Sequence, residues 1–514
     1  MASVVGWPAG DAQEVKRFDV ETDVLVVGLG AAGAAAAIGA RRAGARVLVL
    51  ERAGGGGGTS ALSGGVLYLG GGTPIQKQCG FDDSPEAMFR YLMASCGPRP
   101  DEAKVRLYCE GSVEHYHWLV GLGVPFKPVF YPHYSGEPPT EDGLVFSGSE
   151  EAWPFRDVAR PAPRGHVPRI PGQAGGLLMQ KLIGAVEALG AEVQVGARCE
   201  ALLRDPNGAI VGALHRVDGR PCSVRARRGV VLATGGFINH REMVETWAPL
   251  LRQCRYRVGG EGDDGSGIRL GMAAGAATLN MEQGSISLPI HPPKRTSAGV
   301  LINAQGQRFI NEDVYYGRLG ESVVTHQDGV AFLVMDDASF VRPEVSRDLV
   351  GVADRVEDLE EALGLPPRSL VTTLELYNHH AARGEDPVFH KRSEYLKPLT
   401  SPPFGAFDCR TESSLYAVFT LGGLRTDADG AVLDGDGRRL PGLYAAGRCS
   451  AGLAAPGYSS GLSLGDGTFF GRRAGAAAAS CGSACGQSPQ APGARGERAG
   501  PMFAHVTPRD GCGG

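Results

Sequence analysis

Over the first fifty residues the chain alternates short apolar runs with alanine-rich stretches. Asp23 leads into Val24 to Val27, then glycines, then an alanine-rich stretch to Ala43, then a run that ends at Glu51. Such a pattern predicts a buried strand, a helix and a second buried strand. Residues 80 to 125 carry apolar positions at helical spacing in two segments, SPEAMFRYLMASC and DEAKVRLYCEGSVEHYHWLVGLG. Ser84 and Pro85 supply the N-cap and first-turn proline of the first. The stretch from Pro125 to Pro171, rich in Pro, Gly and aromatics, predicts irregular loop. Its Tyr131, Tyr134, Trp153 and Phe155 suit either an apolar pocket or ordinary loop packing. Gln173 to Leu189 predicts a helix and AEVQVGARCEALLRD a strand pair. IVGALHRV and CSVRARRGVVLATGG continue as a meander that rejoins the main sheet. Gly262 to Gly267 then opens a helix.

Near Gln283 the composition shifts. LINAQGQRFINEDVYYG predicts short strands and a turn, VAFLVMDD another strand, and RVEDLEEALGL and SLVTTLELYNHHAARG two helices. The chain therefore divides into an α/β domain over 20–285 and 405–480, with a second domain, 286–404, inserted in it. From Cys481 to 514 the sequence is rich in Gly, Ser, Pro and Arg with little to bury, which predicts a disordered tail.

Composition narrows the classes. With 514 residues, 43% hydrophobic and 21% charged, the chain reads as a soluble globular protein of two domains. A net charge of −5 gives no nucleic-acid surface. Eleven cysteines without a CxxC or CxxCH pattern indicate neither zinc nor c-type haem; Cys481 and Cys485 read as tail thiols. His115 and His117, two apart, share no helix face and so predict packing or surface roles, not a metal pair. The N-terminus lacks the basic-then-apolar order of a secretory signal, and the reduced cytosol is the expected compartment. The apolar run Val24 to Ala40 has 17 residues, at the lower limit of a membrane span of about 17, but its glycines have a better explanation.

Those glycines are Gly28, Gly30 and Gly33 in the order GxGxxG, with Glu51 some twenty residues on. In a dinucleotide fingerprint the first glycine allows the tight turn and the second lets backbone approach the pyrophosphate. The third lets helix and strand pack closely, and the acid accepts from a ribose hydroxyl. After Glu51 and Arg52 comes a glycine and hydroxyl loop, with Thr59, Ser60, Ser63, Gly64 and Gly65. A nicotinamide domain would continue into another strand–helix unit; this loop suits a cofactor that runs on past its pyrophosphate to a flavin. The late stretch AAPGYSSGLSLGDGTFFG places Tyr458 and Ser460 in a small-residue loop entering a helix, which suits closure over an anionic or carbonyl oxygen.

Taken together, GLGAAG with Glu51, GTSALSGG, VVLATGG, GDDGSG, FTLGGLRTDADG and LPGLYAAGR resemble the flavoprotein family of succinate dehydrogenase, fumarate reductase and ketosteroid dehydrogenases. The resemblance runs in family order to about residue 480. It implies a Rossmann-type domain binding FAD non-covalently and an inserted α+β catalytic domain capping it. The implied FAD residues are Gly28, Gly30, Ala32, Gly33, Glu51, Arg52, Ser60, Ser63, Gly64, Gly65, Thr234, Gly235, Asp264, Gly447, Ser460 and Leu462. No histidine lies in Thr59 to Leu62 to tether the flavin. The loop PGYSSGLSLG lacks the Arg and His that grip dicarboxylates in fumarate-type enzymes. Its Tyr458-Ser459-Ser460 is closest to the 3-ketosteroid Δ4-(5α)-dehydrogenases, which pair such a loop with a catalytic-domain tyrosine; Tyr316 matches, with Tyr315 as the fallback.

The resemblance implies a small hydrophobic ketone or steroid substrate and a quinone-like electron acceptor. Introducing a double bond beside a ketone requires carbonyl polarisation, loss of an α-proton and hydride transfer to flavin N5. Phenolic and backbone donors suit an uncharged ketone. Tyr458 with a loop N–H is the expected ketone holder, and Tyr316 with Ser460 the proton pair, though the roles are exchangeable at this level. A Δ1-dehydrogenase, an ene-reductase of the family and a flavin-binding protein without turnover remain alternatives.

Overall fold

A computed structural model describes residues 9–133, 137–344, 348–454 and 457–481; Tyr134, Cys485 and the tail from 482 lie outside them. Val20–Val27 lies within a nine-stranded sheet, flanked in parallel by Val47–Leu50 and Arg220–Leu232. Alternate residues point to opposite faces. Val24 and Val26 therefore join the core under the helices, and Leu25 and Val27 the core on the other side. The long strand Arg220–Leu232 changes partner along its length. Its first part pairs antiparallel with Ile210–Val217, and Val230 to Leu232 pair parallel with Leu443 to Ala445. The predicted strand pair is corrected: Glu192–Gln194 runs beside Val47–Leu50, whereas Ala197–Arg204 joins the meander. Gly196, at φ +63°, turns the chain between them.

The fingerprint helix Ala31–Arg42 is buried over most of its length because the last helix, Leu462–Ser480, crosses it backbone to backbone. A Cβ on Gly471 would lie 2.4 Å from the Ala32 carbonyl, and one on Gly475 1.9 Å from that of Ala36. Small residues on both helices permit this approach. It seats Gly467 of the last helix against Ala32 of the fingerprint, while Leu462, the first residue of that helix, is buried in the same core.

Val300–Ile302, Phe332–Asp336, Phe404–Asp408 and Leu349–Ala353 form an antiparallel sheet in that order, its third strand running past the expected boundary at 404. The helices Val356–Ala362 and Ser369–Ala381 cover it through Leu359, Leu370, Leu374 and Tyr377. A further helix, Tyr316–His326, stands where the pattern predicted no helix. Its Leu319, Val323 and Val324 enter the core, and Gly320 lets it close on Ile286, whose carbonyl a Cβ would meet at 2.4 Å.

The loop aromatics do not share one pocket. Tyr131 packs on the Val66, Val145 and Val167 cluster, Trp153 lies 4.5 Å from His390, and Phe155 meets Tyr91 edge-on. His115 is a packing residue, its Nε2 2.8 Å from Thr468 Oγ and its ring stacked on Trp118; His117 is exposed. Among the described residues no helix is long and apolar enough to cross a membrane, and Val24 to Ala40 divides into strand, turn and helix.

Candidate active site

The cradle begins where Val20–Val27 ends. Gly28 has φ +101°, and a Cβ there would meet the Ala233 carbonyl at 2.5 Å. Gly33 is tighter still, with a Cβ position 1.9 Å from the Gly28 carbonyl. Gly30 differs: a Cβ would touch nothing nearer than Ser60 Oγ at 3.6 Å, so this face of the turn stays open to a ligand. Ala31 N–H donates to Ser60 Oγ at 3.2 Å, at the helix N-terminus where pyrophosphate is favoured. Glu51 accepts from the Leu29 and Ala53 N–H groups at 2.8 and 2.9 Å, fixing its carboxylate at the turn.

Ser63 shapes the next loop, donating to the Ser60 carbonyl and accepting from Gly65 N–H, while Gly64 and Gly65 run against the start of the helix Gly175–Ala188. Thr234 caps the turn after the central strand, accepting from Gly267 N–H at 3.1 Å. Gly447, at φ +64°, presses on Ala32. Arg52 and Asp264 meet each other at 2.6 Å; burial opposes ionisation of Asp264, and Arg52 outweighs it and holds the carboxyl below its usual range.

The resemblance implies Asp264; the adjacent Asp263 is the buried member of the pair. Asp263 accepts from Gly236 N–H at 2.9 Å and from the Thr59 hydroxyl and Arg448 at 2.7 Å each. Only the doubled acid of GDDG signals it. Arg448 then lies 5.5 Å over the Phe419 ring, which meets Tyr458 edge-on at 5.3 Å. This chain of contacts connects the cradle to the phenols.

The profile of the FAD binding domain family matches residues 23–462. The chain belongs to this family. It is 31% identical, over 85% of its length and 94% of the relative, to a 3-oxo-5-alpha-steroid 4-dehydrogenase of Comamonas testosteroni. It is 26% identical, over 91% of its length and 76% of the relative, to a urocanate reductase of Eggerthella lenta. A solved structure of 3-ketosteroid-delta4-(5alpha)-dehydrogenase from Rhodococcus jostii RHA1, in complex with 4-androstene-3,17-dione, superposes with TM-score 0.88. That match has 46% identity and covers 92% of this chain and 99% of the other. A 3-ketosteroid delta1-dehydrogenase from Sterolibacterium denitrificans, at 21% identity and TM-score 0.67, over 90% of this chain and 99% of the other, shares the fold.

The residues present fit FAD. The turn at Gly28 to Gly33 leaves room only at Gly30, and Gly54 and Gly55 beyond Glu51 have nothing within 4 Å of their Cβ positions. Open glycine backbone at a helix N-terminus beside an anchored carboxylate is what an FAD binding domain offers pyrophosphate and ribose.

Beyond the cradle, Tyr316, Tyr458 and Ser460 come together. Tyr315 packs on Tyr316 at 4.4 Å and on Tyr458 at 6.5 Å between ring centroids. Burial pushes the Tyr316 phenol above its ordinary value, against hydrogen bonds with the Tyr315 and Ser460 side chains. Burial raises Tyr458 likewise, opposed by the Ser463 N–H that its oxygen accepts at 3.2 Å and by the Arg448 charge. Both phenols are therefore protonated donors at neutral pH. Gly461, at φ 96°, turns the loop into the last helix and accepts from Tyr68 N–H at 3.0 Å. Sequence reasoning missed Tyr91 and Ser459, whose hydroxyls lie 2.8 Å apart behind this loop.

Proposed function

We propose that this flavoprotein is a 3-ketosteroid Δ4-(5α)-dehydrogenase, introducing a double bond beside a ring ketone. The observation that carries the reading is the convergence of Tyr316 with Ser460 next to Tyr458, at a loop of uncharged donors. A dicarboxylate would need a cationic clamp; a ketone needs hydrogen-bond donors. The 46% identity to a Δ4-(5α)-dehydrogenase structure supports the same class. In this reading residues 286–404 form the capping domain inserted between 20–285 and 405–480, and Tyr316 is its contribution to the site.

The Tyr458 phenol and a loop N–H hold the ketone oxygen, drawing charge from the carbonyl and acidifying the α-carbon. The α C–H bond breaks, its electron pair forms the double bond, and its proton goes to the Tyr316 oxygen. Because that phenol is protonated at rest, it passes its own proton to Ser460 Oγ, whose hydroxyl proton passes on to solvent water in the same event; no free phenolate is required. When bound, FAD supplies the acceptor for the hydride that leaves the β-carbon. Reoxidation by a quinone-like acceptor completes the cycle in this proposal, and the nine free thiols among the described residues suit a reducing cytosol.

Turnover of a 5α-reduced 3-ketosteroid with an artificial quinone, with the product read by NMR, tests the assignment. A C4–C5 double bond is expected. A C1–C2 double bond would transfer the chain to the Δ1 reading, and no product would sink the steroid assignment.

A further inference from the structure

The two halves of the proposed site belong to different parts of the chain. Ser460 lies in the loop before the last helix; Tyr316 opens a helix far upstream in sequence. Both are held by one short segment, Ser147 to Glu150. Ser147 carbonyl accepts from Ser460 N–H at 2.8 Å, and Ser149 Oγ accepts from Tyr315 N–H at 3.0 Å. At the centre is Tyr91, 1% exposed, from the helix Pro85–Ser95. Its oxygen accepts from Ser149 N–H at 2.9 Å and lies 2.8 Å from Ser459 Oγ. Gly148 has no side chain because one would collide there: its Cβ would stand 2.3 Å from the Tyr91 oxygen and 2.5 Å from Ser459 Oγ.

We infer that Tyr91 is a positioning residue: its buried phenol ties the Ser459-Ser460 loop to the segment that carries Tyr315-Tyr316, and so sets the separation between Ser460 and Tyr316. This deepens the proposed mechanism and rests on it. A packing role alone would need only the ring, which stacks on Tyr68 at 6.1 Å and meets Phe155 at 5.7 Å. The oxygen adds two hydrogen bonds, one to each side of the site. Proton transfer between hydroxyls depends steeply on their separation, so a small change in the gap is felt in the chemical step and hardly in ketone binding.

The test is Tyr91→Phe, which keeps the ring and removes the oxygen. Single-turnover flavin reduction by a 5α-reduced 3-ketosteroid should slow about 10- to 100-fold with KM nearly unchanged. The isotope effect on α-deuterated substrate should rise, with flavin content and Tm close to wild type. In a Ser460→Ala background the same change should add almost nothing, because its effect runs through Ser460. Equal slowing in both backgrounds, or no slowing in the parent, would overturn the inference. If the wild type itself leaves the steroid untouched, the functional reading fails, and the positioning is then read without substrate. In protein labelled with 3-fluorotyrosine, the Tyr316 resonance, assigned through Tyr316→Phe, should shift in Tyr91→Phe as it does in Ser460→Ala. A resonance that stays in place would refute the positioning role.

Discussion

The cradle and the phenol site are built in opposite ways. The cradle is mostly backbone from one contiguous strand–turn–helix unit, in which the absence of side chains at Gly28, Gly30 and Gly33 does the shaping. The phenol site is side chains from two distant segments, aligned by the hydroxyls of Tyr91, Ser149 and Ser459 and by the Ser147 carbonyl. At Gly28 and Gly33 the first tolerates almost no added volume. The second is expected to keep its fold when a single oxygen is removed, and so can be probed atom by atom.

The comparison breaks most sharply at Gly33. A methyl there must displace the Gly28 carbonyl or the helix, since 1.9 Å is far inside contact distance. Gly33→Ala should cost at least about 3 kcal/mol and yield little or no yellow protein, measured by urea unfolding and flavin absorbance. Tyr316→Phe and Tyr458→Phe should do the reverse: flavin retained, kcat/KM down about 10²- to 10⁴-fold in stopped-flow reduction. Glu51→Ala removes the acceptor for two turn N–H groups and the proposed ribose contact. FAD should bind about 10- to 100-fold more weakly by titration of apoprotein, with kcat preserved at saturating FAD.

The smallest expected effect concerns Glu150, buried with its carboxylate accepting from the Tyr68 hydroxyl and Gly148 N–H at 2.9 Å each. Burial pushes its carboxyl up to about 7, against the Arg164 charge. Since the folded value lies above the unfolded one, this group's contribution is fully present below about 4.5 and is lost as pH rises through 7. The wild-type Tm should therefore fall between pH 5 and 8, by the equivalent of ~2–3 kcal/mol at most. Glu150→Gln, which mimics the protonated form by donating to Tyr68, should flatten that slope.

How much of this was legible in the chain follows the same division. The fingerprint was readable because its constraints are local: three glycines, a helix and an acid at fixed spacing. The partnership of Tyr316 with Ser460 came from the family loop, not from periodicity. Helix Tyr316–His326 escaped notice because Gly317 and Gly320 weaken its propensity, and tertiary packing against Ile286 overrides that penalty. Tyr91 was invisible for a different reason. On its helix it reads as one more core aromatic beside Met88 and Leu92, and nothing in sequence places a serine of a distant loop at its oxygen. Asp263 and Asp264 could not be ranked, because adjacent residues differ only in which way the turn points them.

Anaerobic mixing of the wild-type flavoprotein with a 5α-reduced 3-ketosteroid tests the central claim most directly. Rapid loss of the oxidised-flavin absorbance is expected, abolished on that timescale in Tyr316→Phe while its flavin remains bound. An unchanged wild-type spectrum, or bleaching as fast in Tyr316→Phe as in the parent, would contradict it.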